Sequence, residues 1–518
     1  MAFFSVAFFC FILLFLILHD LAGDIIPRYQ WVVRLLAGLA FFIYLSGIKV
    51  VFILASALII WSGARLIDQI SRNGKAFRKQ EGLTKEEKKA SKKKTQREKR
   101  IYLALIVSFN LILLFFSKYF FPITGHPVAL PIGISFYTLM AVSYTVDVYG
   151  GKYEPQKNFA KVLLYLCWFP QLIQGPINRY DLIHEELYKP YTLHAPQFRY
   201  SFYLFLFGAI KKYAIADLLA PMVNHALSDD CASHPGSYVL FGAFLYAIQL
   251  YADFSGGIDM AMGISMLFGV KMNENFKQPY FSTSLAEFWR RWHITLGSWM
   301  RDYVFYPFVM LKPVSKLNKK LSQKFGDHIA RSVIGGISNI FVFVLVGLWH
   351  GPEKHYIVWG LYNGMIIAVS DALAPLFFRV NKFLKINTES AGMYVFRVIR
   401  TFIIVVLKGY FDFIGPVRVG IACFVNTFLR FEAKRGAAMI TSLFTEKVAS
   451  IQAIVTALLA TGLLFANSIL KERGKQPLSS LCHIRYYYRW PICFLLMGLL
   501  LYSLAISSGI RGFMYAAF

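Results

Sequence analysis

Two histidines stand where imidazole chemistry can be done at membrane depth. His350 ends a long apolar run in Gly347-Leu348-Trp349-His350-Gly351, and His293 closes Arg290-Arg291-Trp292-His293. An unperturbed imidazole titrates near pH ~6.5, so it can take a proton from a hydroxyl and return it close to neutrality. In a low-dielectric passage a neutral His350 would act as general base on a hydroxyl attacking a thioester carbonyl. Gly351 removes side-chain bulk beside it and lets a long substrate approach the backbone. The competing reading is a histidine satisfied by a backbone carbonyl at a helix end. For His293 the functional reading is a second polar group at the same cavity, with Arg290 or Arg291 clamping a phosphate or carboxylate. The structural reading is an interfacial helix with snorkelling arginines and an anchoring Trp292.

Other constellations are weaker. Asp253 and Asp259 are six apart, which does not share a helix face well, and Gly256-Gly257 between them predicts a helix break. Hydrogen bonding to backbone or to a nearby arginine is the expected role of both carboxylates. His350 and His355 are five apart, on different faces if they share a helix, and no histidine pair has the spacing of a zinc site. The six cysteines are scattered with no C-x-x-C pair. They read as small hydrophobes, neither a disulfide framework nor a metal site. No nucleophile elbow, P-loop or H-E-x-x-H motif occurs.

The elements that must position these residues are apolar. Of 518 residues 57% are apolar, and mean hydropathy is +0.50. The excess lies in runs at 2–18, 31–45, 50–60, 101–116, 130–146, 202–210, 239–250, 333–348, 357–368, 395–407, 448–464 and 492–506. A bilayer needs about 20 apolar residues per spanning helix, which predicts roughly 11 spans plus two or three helices in or partly across the membrane. Trp31, Trp61, Tyr102, Trp168, Trp359, Tyr488 and Trp490 fall at run ends, as an interfacial belt would, though core packing places rings there too. The first run has no preceding Lys or Arg and no clear cleavage site, so it reads as a retained span.

The net charge of +27 lies in segments between apolar runs, which excludes a nucleic-acid binder. The densest block, residues 72–100, reads as a solvated cytoplasmic loop near anionic lipid. Three preceding spans would put the N-terminus outside; the weak point is the very short turn 46–49. No soluble domain of ordinary size interrupts the chain, and no internal repeat supports a duplicated transporter. Residues 285–303 read as one amphipathic interfacial helix in which Glu287 is placed to pair with Arg290 or Arg291.

Several stretches resemble the bacterial branch of the membrane-bound O-acyltransferase family, which includes alginate O-acetylation and teichoic acid D-alanyl transfer proteins. In order they are Leu130-Pro131-Ile132-Gly133-Ile134-Ser135-Phe136-Tyr137, then Phe169-Pro170-Gln171-Leu172-Ile173-Gln174-Gly175-Pro176-Ile177-Asn178-Arg179-Tyr180. Asp253-Phe254-Ser255-Gly256, Glu274-Asn275-Phe276 and Pro279-Tyr280 follow. Glu287-Phe288-Trp289-Arg290-Arg291-Trp292-His293-Ile294-Thr295-Leu296 leads into Trp299-Met300-Arg301-Asp302-Tyr303. Trp349-His350-Gly351 comes last, with Trp359-Gly360-Leu361-Tyr362-Asn363-Gly364 behind it.

The resemblance covers 130–364 closely and implies an all-α multi-pass plasma-membrane protein of one domain, residues 1–518. It implies a ring of about 11 spanning helices around a central funnel. It makes His350 the expected catalytic residue and His293 a second polar residue at the tunnel, with Arg290, Arg291, Trp349 and Asp253 as lining candidates and no metal. It implies no bound cofactor, an acyl donor that is acetyl-CoA or a phosphopantetheine carrier thioester, and O-acylation, preferably O-acetylation, of a cell-surface or exported polysaccharide. The implied partners are membrane lipid, an extracytoplasmic SGNH-hydrolase-like transferase and an acyl carrier protein. The alternatives are D-alanyl transfer to teichoic acid and, in another class, a lipid or polymer transporter with a histidine proton relay. Tyr306–Lys312, Asn363 and the tail from Gly512 to Phe518 depart from the acetylating pattern, whereas the chain length and the spans after Gly364 favour it.

Overall fold

The computed structural model describes residues 5–120, 130–507, 509 and 511–514. Residues 2–4 of the first apolar run and 515–518 of the tail lie outside them. The described residues form helices joined by short turns, with one isolated bridge, Phe276 to Trp292. Among them seven helical runs are long and apolar enough to cross a membrane, or up to eight if the bent pair Lys354–Ala372 and Ala374–Phe383 is one span.

The membrane reading is visible in how single helices are sided. In Ile451–Glu472 the buried face is mostly small, with Ala453, Thr456, Ala457, Ala460 and Ser468 beside Leu464, while Val455, Leu458, Leu459, Leu463 and Phe465 are exposed. A water-soluble helix does the reverse. Lipid is as apolar as leucine, so helices in it pack through small residues and leave large ones outside.

The chain divides into two compact units. The first holds residues 1–201 and 261–273. Here Gln30–Ser46 and Val50–Arg78 are joined by a 3₁₀ turn at Gly47–Lys49, where Gly47 takes φ +55. The chain reverses there: Lys161 Nζ lies 5.5 Å from the Trp31 ring centroid, Trp61 Nε1 donates to Lys157 O, and Trp61 meets Phe159. Both tryptophans therefore reach the same level of the unit, and the short turn separates two antiparallel segments rather than kinking one long helix.

Residues 72–100 are not a loop. Val50–Arg78 and Lys85–Phe115 form a hairpin in which Thr84 and Glu87 make a reciprocal capping box that starts the second helix. Gly74 lies against Thr95, and Ser91, Thr95 and Glu98 turn inward while Lys88, Lys89, Lys92 and Lys93 are exposed. The amphipathic pairing was hidden in the sequence by the density of lysine.

The Phe169–Tyr180 stretch also lies in this unit. Its polar residues bond to one another: Gln171 Nε2 donates to Tyr165 O at 2.7 Å, and Asn178 Nδ2 to Gln171 Oε1 at 3.1 Å. Asn273 donates through its N–H and Nδ2 to Asn178 Oδ1. Trp168 is fully buried, with its Nε1 on Ser265 Oγ, so it is core and not interfacial belt.

The second unit holds 202–260 and 274–518. Helix Gly236–Leu267 runs unbroken through Gly256-Gly257, against the predicted break. A Cβ on Gly256 would stand 2.7 Å from Gly208 O, so this glycine serves close backbone approach rather than helix termination. Helices Asp327–His350 and Lys354–Ala372 form a second close hairpin. A Cβ at Gly360 would lie 2.5 Å from Phe343 O, and one at Gly364 2.6 Å from Ile340 Cα. His350 and His355 thus sit on different helices, not on two faces of one. Trp359 is 2% exposed and belongs to the core, whereas Tyr488 and Trp490 are exposed as an interfacial belt requires.

Candidate active site

The expected single helix over 285–303 is broken at the residue of interest. Leu285–Arg291 and Ile294–Met300 are separate helices, and His293 between them takes a left-handed conformation, φ 46 and ψ 52. Neighbouring backbone compels it: Lys277 N donates to Arg291 O at 2.9 Å and Ile294 N to Asn275 O at 3.0 Å. Arg290 and His293 therefore do not share a helix face. A non-glycine residue held at positive φ carries strain of order 1–3 kcal/mol, and such residues concentrate at functional sites.

Asn275 holds the ring. Its Oδ1 accepts from Thr295 N at 3.0 Å and Thr295 Oγ1 at 2.8 Å, and stands 3.2 Å from His293 Nδ1. A backbone N–H can only donate, so the Asn275 amide is oriented oxygen-first, and His293 Nδ1 must carry its hydrogen. The lone pair then resides on Nε2. Burial holds this imidazole well below the ordinary histidine value, so the ring is neutral at pH 7. Phe254 packs edge-on against it at 4.9 Å.

Trp349 joins the two histidines. Its ring centroid is 6.3 Å from that of His293 and 5.2 Å from that of His350. His350, 5% exposed, is the last residue of Asp327–His350. Its ring is stacked near Tyr356 at 5.7 Å and edge-on to Trp359 at 5.3 Å. The hairpin glycines set this position, because they let the Lys354–Ala372 helix bring Tyr356 and Trp359 against the preceding helix end. Trp289 Nε1 donates to Asn363 Oδ1 at 3.1 Å, which ties the Leu285–Arg291 helix to the same hairpin. Asn363 is thus a donor-satisfying residue at the site's border.

The remaining candidates are placed elsewhere. Arg291 is held between two carboxylates, Glu287 at 2.7 Å and Glu472 at 2.8 Å. Both of its terminal nitrogens are thus engaged by carboxylates within the protein. Glu287 pairs with Arg291 and not with Arg290, which is exposed. Asp253 is 1% exposed and lies 2.6 Å from Lys212 Nζ, and its second oxygen accepts from Met514 N at 3.0 Å. Lys212 also reaches Asp217 at 2.9 Å and Gly512 O at 2.9 Å. The neighbouring Lys211 pairs with Asp259 at 2.6 Å. Both aspartates have partners as expected, but these are consecutive lysines rather than an arginine. Asp253 anchors the C-terminal tail.

Sequence reasoning named Asn275 only as part of a family-like stretch, without a role, and passed over Lys211, Lys212 and Lys408. The last is 3% exposed, pairs with Asp412 at 3.0 Å and sits 5.8 Å from the Trp359 ring. A lysine at the end of an apolar run was the available signal in each lysine case, since a charge at membrane depth needs a partner. Among the described residues no group of three or more His, Cys, Asp or Glu could hold a metal ion.

Residues 155–325 match the membrane-bound O-acyltransferase family; His293 lies inside that segment and His350 beyond it. The chain is 37% identical over 282 residues to the probable alginate O-acetylase AlgI of Pseudomonas syringae pv. tomato, covering 54% of this chain and 48% of that one. It is 29% identical to the peptidoglycan O-acetyltransferase of Helicobacter pylori over 53% of this chain and 56% of the relative. It is also 29% identical to the teichoic acid D-alanyltransferase of Bacillus subtilis over 50% of this chain and 65% of the relative. The chain spans about half the length of the curated alginate relatives it matches. The likeness to the membrane-bound O-acyltransferase family thus centres on residues 155–325 of a multi-pass membrane protein.

Proposed function

We propose that this chain is an O-acyltransferase that passes an acetyl group from a cytosolic thioester to hydroxyls of an exported or cell-surface polysaccharide. The observation that carries the reading is the pair of histidines meeting one indole, one of them with its tautomer set by Asn275. The acetylating names of the alginate and peptidoglycan relatives support the acyl group and the acceptor class.

In the proposed step His350 takes the proton of the acceptor hydroxyl as its oxygen bonds to the thioester carbonyl carbon. The tetrahedral intermediate then loses the carbon–sulfur bond, and the thiolate recovers the proton from the imidazolium. Neutral His293, with its Nδ1–H engaged, is placed to present Nε2 as a second acceptor or to orient a hydroxyl. Trp349, Tyr356 and Trp359 exclude water, which strengthens each polar interaction within. The donor is acetyl-CoA or a phosphopantetheine arm on an acyl carrier protein. A ring of about 11 spans around a funnel would admit the donor from the cytoplasm and the acceptor from outside. An extracytoplasmic SGNH-hydrolase-like partner would complete delivery to the polymer. The basic hairpin, on the cytoplasmic side by the positive-inside rule, would steer an acidic donor.

D-alanyl transfer is the second reading, favoured by the larger share, 65%, of the Bacillus subtilis relative that the chain covers. Membrane vesicles containing the whole protein are supplied with labelled acetyl-CoA, acetyl-loaded carrier or D-alanyl-loaded carrier, and label reaching the membrane-outer polymer is counted. Transfer of acetyl that vanishes in His350→Ala supports the proposal. Transfer of D-alanine alone selects the second reading, and undiminished transfer by His350→Ala sinks the catalytic assignment.

A further inference from the structure

Cys231 and Cys423 lie 192 residues apart in sequence, yet their sulfurs are 3.1 Å apart and both side chains are fully buried. That separation is about 1 Å more than the ~2.05 Å of a disulfide bond. Backbone already brings the two segments into register. Gly236 N donates to Arg430 O at 2.7 Å, Ser237 N to Phe431 O at 2.9 Å, and Asn426 Nδ2 to Ala232 O at 2.9 Å. Cys231 opens the turn Cys231–Ser233 just ahead of helix Gly236–Leu267, and Cys423 lies on Val417–Leu429. Among the described residues no metal-binding cluster accounts for two apposed thiols.

We propose that Cys231 and Cys423 are joined by a structural disulfide, closed on the extracytoplasmic side of the membrane. Disulfides persist only where the compartment is oxidising, so the bond makes the Cys231 end of Gly236–Leu267 the extracytoplasmic one.

The bond forms by exchange with the disulfide of a thiol-oxidising protein of that compartment. The Cys231 thiolate attacks it to give a mixed disulfide, and the Cys423 thiolate displaces the carrier. The two thiols lose two protons and two electrons, and the exchange partner leaves as a dithiol. Because both sulfurs are buried in the folded chain, exchange precedes docking of the Val417–Leu429 helix.

The full-length protein is acid-quenched from intact cells, denatured, and treated with a mass-tagged maleimide before and after reduction. Two of the six cysteines are expected to label only after reduction, and non-reduced peptides should show a 231–423 link. Cys423→Ser should leave no cysteine protected. Labelling of all six before reduction, or a link between other positions, overturns the proposal. Should the variant fail to accumulate, the wild-type labelling and the peptide link still decide, and neither depends on acyltransferase activity.

Discussion

His293 Nδ1 stands 3.2 Å from Asn275 Oδ1, on an amide that Thr295 N–H orients. The contact decides which ring nitrogen can accept a proton, and it makes Asn275 a positioning residue. Asn275→Ala is expected to lower acyl transfer by about 10- to 100-fold, within the range of a misoriented acid–base group. Asn275→Asp keeps the acceptor and should recover part of the rate. A carboxylate there favours the imidazolium, so the acidic limb of the pH–rate profile should move to higher pH. Equal losses in both variants with unchanged pH profiles would mean that Asn275 serves folding alone.

The two histidines should separate kinetically. Removal of His350 is expected to abolish transfer while the protein still inserts, whereas His293→Ala should reduce turnover without destroying it. Detergent-solubilised protein eluting as the wild type does, assayed in parallel, checks that the loss is chemical.

Arg291 tests clamp against strut. Bound by Glu287 and Glu472, it should act on stability, so Arg291→Ala should lower the melting temperature and leave the KM for the thioester unchanged. Burial alone would raise the Glu287 carboxyl; hydrogen bonds from Thr283 and the Arg291 charge outweigh it and hold the group below the ordinary glutamate value. A depressed folded value means its contribution is full above the unfolded pKa and is lost as pH falls through the folded one. Acid unfolding of Glu287→Gln should therefore be less steep than that of wild type; a raised KM in Arg291→Ala would restore the clamp.

Lys212 is nearly inaccessible and serves Asp253, Asp217 and the tail carbonyl of Gly512. Lys212→Met leaves two buried carboxylates unpaired, a change that costs about 3–5 kcal/mol. Thermal unfolding in detergent should fall sharply, and proteolysis should begin in the tail. A wild-type melting curve would show that the cluster is wetter than its burial implies.

Gly360 lets the two hairpin helices touch. Gly360→Ala pushes a methyl against Phe343 O and should displace Trp359 from His350, so activity is expected to fall more than expression does. Retained activity would mean that the hairpin can open without moving the imidazole.

Legibility differed from residue to residue. Trp349-His350-Gly351 was readable because an ionisable group ending an apolar run is costly and demands a reason. Asn275 gave no such signal, since an asparagine in a polar stretch is ordinary until a neighbour needs its oxygen. Gly256 was misread as a helix breaker because a glycine's local propensity is visible in sequence and the opposing Gly208 carbonyl is not. The lysine block at 72–100 was misread as a loop because its inward face, Ser91 and Thr95, pairs with a segment before it rather than with lipid.

By itself the amino-acid sequence determined that this chain resides in a membrane and that two histidines stand in family-like motifs. These are properties of composition and local spacing, which the solvent reads without help from distant contacts. Tertiary structure alone decided that Arg291 meets Glu472, 181 residues away, that Lys212 rather than an arginine holds Asp253, and that two scattered cysteines touch. Each of these pairs is joined by helix packing across long separations, and charge or sulfur carries no mark of its partner until that packing exists.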